Sequence, residues 1–288
     1  MYKVYRKANV LYLPALLVLL IFVVYPFFDG LRISFTNWNG FSQTFSYIGL
    51  DNFRRLFSDV NIRSAAFNTL GYGFGSTLLQ QILGLSAALL LNQAFRGRGA
   101  ARTIIYLPVM ISGLIMGYMW RYMTRLDGAL NDIVQLFGSE PVLWLSSVQV
   151  TVPLIIIINS LQYYGISMVI YLAGLQSIPE MYYEAARIEG AGSIKIFMGI
   201  TFPLLYPALV TSITINLIGG LKLFDIIRAL TGGGPGFATH SLATMIHRTY
   251  FGGQQAGLAA AIGLLLFMLI LIITIGLQAF FNKKEVDF

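Results

Sequence analysis

Stretches free of Asp, Glu, Lys and Arg dominate the chain, and six of them are strongly apolar: Ala8–Phe28, Ser64–Phe95, Thr103–Trp120, Pro141–Pro179, Ile196–Leu221 and Thr249–Asn282. A helix needs about 20 apolar residues to cross the hydrocarbon core, within a range of about 17–25. Each window is long enough. A seventh charge-free window, Ile33–Leu50, is rich in Ser, Thr, Asn, Gln and Gly and reads as an exposed polar loop. Backbone groups in lipid must be bonded internally, so spans are helices or a closed barrel. Barrel strands alternate apolar and polar positions over about ten residues. Runs such as LPALLVLLIFVV and IGLLLFMLILIITI do not alternate and predict helices.

The expected fold class is therefore all-α, a polytopic membrane protein with about six transmembrane helices. They fall at about 10–30, 66–92, 103–123, 148–173, 198–221 and 256–281, in one membrane domain covering residues 1–288. Composition strengthens this reading. The 288 residues are 57% hydrophobic and 11% charged, against about 25% charged in soluble domains. Lys3, Arg6 and Lys7 before the first apolar run would suit a signal peptide. That run is too long, and Tyr25-Pro26-Phe27-Phe28 is no small-residue cleavage site, so a retained helix is expected.

Charge also orients the chain. Met1–Lys7, Asn92–Arg102, Gly174–Lys195 and Lys283–Phe288 share one side and hold ten of the 19 Lys and Arg. These segments are short, so their positive density exceeds that of the other side, and short loops dominate the positive-inside rule. Both termini are expected in the cytoplasm. With no cysteine there is no disulfide framework or thiol chemistry. The net charge of +7 suits a membrane protein and does not itself imply nucleic acid.

The fourth inner connection, LQSIPEMYYEAARIEGAGSIKIFMGITFPLLYP, is long for a loop. Ser177 and Glu180 match a capping box, with Pro179 in the first turn. Gly190 sits where a helix C-terminus needs positive φ, and Ser193 suits the cap of a second helix. The pattern reads as two short helices broken at Gly190, the first with a thin face at Ala185 and Ala186 beside Glu184. That face suits a docking element; an ordinary interfacial helix turn fits the same pattern.

EAARIEG, nine residues, then ITFP resembles the EAA signature of binding-protein-dependent ABC importer permeases. Glu184, Ala185, Ala186, Gly190, Ile200 and Pro203 carry it; Phe202 stands where Leu is usual, and Glu189 where the sugar branch commonly has Asp. YIGLDNFRRLF at Tyr47–Phe57 and LTGGGPG at Leu230–Gly236 are similar to segments of the carbohydrate branch, of the first-permease type seen in maltose, glycerol-phosphate and oligosaccharide importers. The resemblance implies the type I importer permease architecture in a bacterial or archaeal cell membrane. It implies a second permease forming a heterodimer, two ATPase subunits and an extracytoplasmic solute-binding protein. It makes Glu184, Ala185, Ala186 and Gly190 the residues that couple the permease to the ATPase.

ATP binding needs a G-x-x-x-x-G-K-[ST] loop, and none is present. TGGGPG lacks the Lys and reads as a tight loop. ATP and Mg are expected on the partner ATPase, with no cofactor, metal or catalytic residue on this chain. His240 and His247 have no nearby Cys or carboxylate pair and read as membrane-surface residues. Gly71–Gly75 and Gly113–Gly117 fit G-x-x-x-G and predict close helix contacts. Pro203 and Pro207 are expected to bend the fifth helix.

Polar residues inside spans are functional candidates by default. Sugars need amides and hydroxyls for hydrogen bonds and aromatic faces for stacking. Asn159 with Tyr163, and Asn216 with Gly220, are i, i+4 pairs on the fourth and fifth helices. In the resembling family sugar contacts come from these same two helices. With Lys222 these are the candidate substrate-binding residues, Gly220 leaving room for the ligand. Inter-helix hydrogen bonding would use the same residue types. A carbohydrate is the expected substrate, a glycerol-phosphate diester or polyol the alternative. An ion-coupled secondary transporter would need intramembrane acids, and all six windows lack them. A membrane enzyme would need a converging acid/base or metal set, which is not apparent.

Overall fold

The computed structural model describes residues 12–282. The basic start Met1–Lys7 and the tail Lys283–Phe288 lie outside the described residues, as does the expected placement of both termini. Among the described residues the regular secondary structure is helical, with one isolated antiparallel bridge between Thr36 and Tyr47.

Five helices are long and apolar enough to cross a membrane: α1 (Leu13–Ile33), α3 (Val60–Asn92), α7 (Val148–Ser177), the stretch Tyr206–Leu230, and α13, whose spanning part is Ala256–Phe281. A sixth span is made by the pair α4 (Arg98–Met110) and α5 (Gly113–Met123), bent by 95°. The single helix expected over 103–123 is thus two. Ile111 and Ser112 take extended backbone, with ψ of 134° and 139°, after Pro108 has removed a donor from the first turn of the 3₁₀ segment. Shorter helices are α2 (Asp51–Ser58), α6 (Ala129–Leu136), α8 (Glu180–Ile188), α9 (Ser193–Leu204) and α12 (Leu242–His247). Tyr206–Leu230 itself contains α10 (Tyr206–Leu221) and α11 (Asp225–Leu230).

The described residues form two compact units, 12–63 with 245–267 and 64–244 with 268–282. In the first, the polar segment after α1 is held by Asn52, whose buried Nδ2 donates to the carbonyls of Ser34 and Thr36, both at 2.8 Å. Gly257 at the start of α13 lets that segment lie directly on the helix. A Cβ there would meet the Thr36 carbonyl oxygen at 2.0 Å, and the Gly257 N–H donates to Trp38.

In the second unit, helices meet through small residues, as expected where lipid supplies no hydrophobic drive for association. Gly84 of α3 lies against Ser167 of α7; an added Cβ would be 2.3 Å from the Ser167 Cβ. Gly113 and Gly117 of α5 lie against Asp225 and Ala229 of α11, so this G-x-x-x-G pair makes the contact expected of it. Gly71 faces open space, whereas Gly73 meets Leu221 and Gly75 meets Ile156. On α3 the working glycines are therefore 73 and 75. Tyr72, Ile155, Ile158, Ile226 and Ile227 fill one apolar cluster of this unit; Met168, Tyr171, Leu172 and Leu205 fill another.

Two expected caps do not form. Ser177 is the last residue of α7, and its hydroxyl donates back to Gly174 rather than forward to α8. Pro179, in extended backbone, occupies the N-cap of α8 instead of its first turn. Ser193 is the first residue of α9, with Gly192 at the cap. Gly190 does terminate α8 in the left-handed region, at φ +75°. The Ala191 N–H then reaches the Ala186 carbonyl at 2.9 Å and that of Gly190 reaches Arg187 at 3.0 Å, which satisfies carbonyls the helix end leaves open. The fifth expected span is interrupted at Leu205, between Pro203 and Pro207, after a π turn at Phe197–Thr201.

Gly84→Ala overpacks the α3–α7 contact and is expected to cost about 1–3 kcal/mol. The midpoint of thermal unfolding in detergent should fall, while Gly71→Ala, which meets nothing, leaves it unchanged or raises it.

Candidate functional site

A cavity of about 290 Å³ lies inside the second unit, lined from α3, α7, α10, α11 and the start of α5. Asn159, Tyr163, Asn216, Gly220 and Lys222 all line it. Asn159 and Tyr163 present one face of α7. Asn159 is 2% exposed, yet its carboxamide has no hydrogen-bond partner among the described residues. Its amide bonding capacity is turned to the cavity. Asn216 Nδ2 donates to Ser167 Oγ at 2.6 Å, which leaves the Asn216 oxygen for a ligand.

Gly220 plays a different part from the one expected. A Cβ there would meet the backbone of Gly73, with Gly73 Cα at 2.9 Å. Its missing side chain serves the approach of α3 and α10. The open space is at its neighbour Gly219, where nothing lies within 4 Å.

Three further lining residues escaped sequence reasoning. Gln80 sits mid-span in the window Ser64–Phe95 and is 1% exposed. Its Nε2 donates to the Asn159 carbonyl at 3.2 Å, and its Oε1 has no partner among the described residues. An amide pair, Gln80-Gln81, inside an apolar run was a signal of the same kind as Asn159. Phe224 and Asp225 lie past the fifth window, beyond the helix expected to end at 221.

Behind the cavity a buried chain of polar groups joins three helices. Tyr171 of α7 and Ser212 of α10 both donate to Gln81 Oε1 of α3, the latter at 2.8 Å. Ser212 is also 3.5 Å from Asn216 Nδ2. Gln162, one residue before Tyr163, donates to the Ile111 carbonyl at 2.8 Å. That bond satisfies a backbone group released by the break between α4 and α5.

The TGGGPG segment is a tight loop, with Gly232, Gly233 and Gly236 at positive φ. Thr239 Oγ1 donates to Gly234 and lies 2.9 Å from Thr231 Oγ1. Tyr72 and Asn68 of α3 donate to carbonyls of residues 238–240. His240 is buried rather than at a surface: its Nδ1 is 2.9 Å from Thr244 Oγ1, and only a glycine fits at 233 beside its ring. Among the described residues no three His, Cys, Asp or Glu side chains gather as metal ligands would.

Glu184, Ala185 and Ala186 lie together on α8, Glu184 and Ala185 exposed and Ala186 half-buried; Gly190 follows the helix end. Glu184 forms no ion pair among the described residues. Tyr183, which shares the half-buried face of α8 with Ala186, is 3.3 Å from Thr201 and ties α8 to α9. The substrate and coupling candidates are thus two separate groups.

Residues 80–286 match the family model described as the binding-protein-dependent transport system inner membrane component. The chain belongs to this permease family. The permease is 34% identical over 279 residues to the probable starch degradation products transport system permease protein AmyD of Thermoanaerobacterium thermosulfurigenes, covering 95% of this chain and 93% of the relative. It is 37% identical over 275 residues to the trehalose/maltose transport system permease protein MalF of Thermococcus litoralis, covering 94% and 93%. Among solved structures, a bacterial ABC transporter that imports the acidic polysaccharide alginate aligns with a TM-score of 0.84 at 26% identity, over 98% of each chain. The MetNI methionine transporter aligns at 0.61 and 18% identity over 80% of this chain and 98% of that one, a likeness of fold. The permease is a transport component with the type I importer fold, embedded in a membrane through its apolar helices.

Gln81→Leu leaves the buried Tyr171 and Ser212 hydroxyls without their acceptor. A loss of about 1–3 kcal/mol is expected, read as a lower unfolding midpoint and faster amide exchange in α10.

Proposed function

We propose that this permease carries a carbohydrate, an oligosaccharide or related sugar, into the cytoplasm. The observation that carries the reading is the cavity: amides at Gln80, Asn159 and Asn216 beside the rings of Tyr163 and Phe224, set between helices. Neutral amides supply both donors and acceptors, and ring faces suit sugar C–H groups. The names of the starch-product and trehalose/maltose relatives support the same substrate class. Lys222 in the lining favours a second reading, a glycerol-phosphate-like anion.

ATP hydrolysis belongs to partner ATPases, which press on α8. Glu184 is the charged anchor, Ala185 and Ala186 the thin face, and Gly190 the pivot. A second, similar permease completes the pathway, and an extracytoplasmic binding protein delivers the sugar. A solved structure of the alginate transporter with its sugar-loaded periplasmic protein is a relative in which such a delivery partner is present. The α8 side and both termini face the cytoplasm, in the inner membrane of a bacterium or archaeon.

Uptake by the four-component transporter in proteoliposomes tests both parts. Glu184→Arg and Gly190→Trp should insert normally yet abolish ATP-driven uptake; full uptake by either removes the coupling role. Asn159→Ala should lower uptake about tenfold, the worth of one lost hydrogen bond, with ATPase assembly intact. Unchanged uptake would take the sugar away from this cavity.

A further inference from the structure

Lys222 and Asp225 both fall within the membrane-spanning stretch Tyr206–Leu230, and both line the cavity. Charges inside spans usually pair with one another. These two do not: neither side chain makes an ion pair or hydrogen bond among the described residues. Both remain exposed to the cavity side of the break between α10 and α11. A negative charge suits the first turn of α11, but that role needs no place in the cavity lining, which Asp225 also has. It opens α11, but Phe224 holds the N-cap position and no side chain caps the helix. Gly113 preserves the space around it, since a Cβ at Gly113 would lie 2.9 Å from the Asp225 Cβ and 3.3 Å from its Oδ2.

From this arrangement we infer that Asp225 is a specificity-determining residue that makes the cavity select uncharged saccharides and reject acidic ones. The inference rests on the carbohydrate reading above. Lys222 alone would attract a uronate carboxylate. With Asp225 three residues away on the same lining, a ligand carboxylate reaching the ammonium also meets a like charge. A neutral sugar meets no such conflict. Its hydroxyls donate to the Asp225 carboxylate and accept from the Lys222 ammonium, and Asn159 and Asn216 supply the remaining partners. The pair thus removes the preference for anions that Lys222 would impose by itself.

The test uses the complete transporter in nanodiscs, with equilibrium binding of a radiolabelled neutral glucose oligomer and of the same oligomer oxidised to a terminal uronate, measured without the binding protein so that only the permease selects. Wild type should prefer the neutral ligand by at least about tenfold, and Asp225→Asn should shift the ratio toward the uronate by about 10–100-fold, the range of a lost like-charge contact. Asp225→Glu should restore the wild-type ratio. Adding Lys222→Met to Asp225→Asn should return the uronate to weak binding. An unchanged ratio in Asp225→Asn overturns the selective role while leaving the carbohydrate reading intact. Binding of neither oligomer by wild type, with a phosphodiester bound instead, overturns the carbohydrate reading and this inference with it.

Discussion

The contact of α3 with α7 at Gly84 is the constraint from which the rest of the second unit follows. In lipid, burying a Leu against another helix gains little, so association depends on fit and on hydrogen bonds. A backbone-to-backbone approach at Gly84, repeated where Gly220 meets Gly73, brings three helices close enough for short polar side chains to reach across. Gln81 can then accept from two helices at once, and Asn216 can donate to Ser167. The cavity is what remains where a small residue, Gly219, faces away from its helix neighbours. Packing and binding capacity therefore come from the same residue types, used on opposite faces.

That double use explains what could be read in advance. Six apolar windows were visible because a span must be long and charge-free, and the helix end at Gly190 because its backbone needs positive φ. Asn159, Tyr163, Asn216 and Lys222 were visible as polar residues inside or at the edge of those windows. Gly220 shows the limit of such reasoning. Spacing placed it on the right helix, but which of two adjacent glycines faces a helix and which faces a cavity depends on the rotation of α10. Asp225 was hidden for a related reason: the polypeptide continues as α11 past the last residue of its window. The capping box at Ser177 failed because the helix before it ran one turn further and claimed the hydroxyl.

The α8 segment and the cavity are built by different physics. Around the cavity, amides and hydroxyls are buried and mostly bonded to other helices. On α8, Glu184 and Ala185 stand exposed, and the segment is joined to α9 through Tyr183 and Thr201. A positive-φ glycine gives the chain a sharp change of direction without lengthening the connection. The two helices α8 and α9 are thus joined by a short, sharply turned connection and a side-chain contact rather than by a long loop.

The break at Ile111–Ser112 makes the third span depend on its neighbour. A straight apolar helix can enter the bilayer alone, because it satisfies its own backbone. The bent α4–α5 pair leaves a carbonyl free at its break, and Gln162 of α7 donates to it. The bend of the third span thus leans on a side-chain amide that the fourth span supplies.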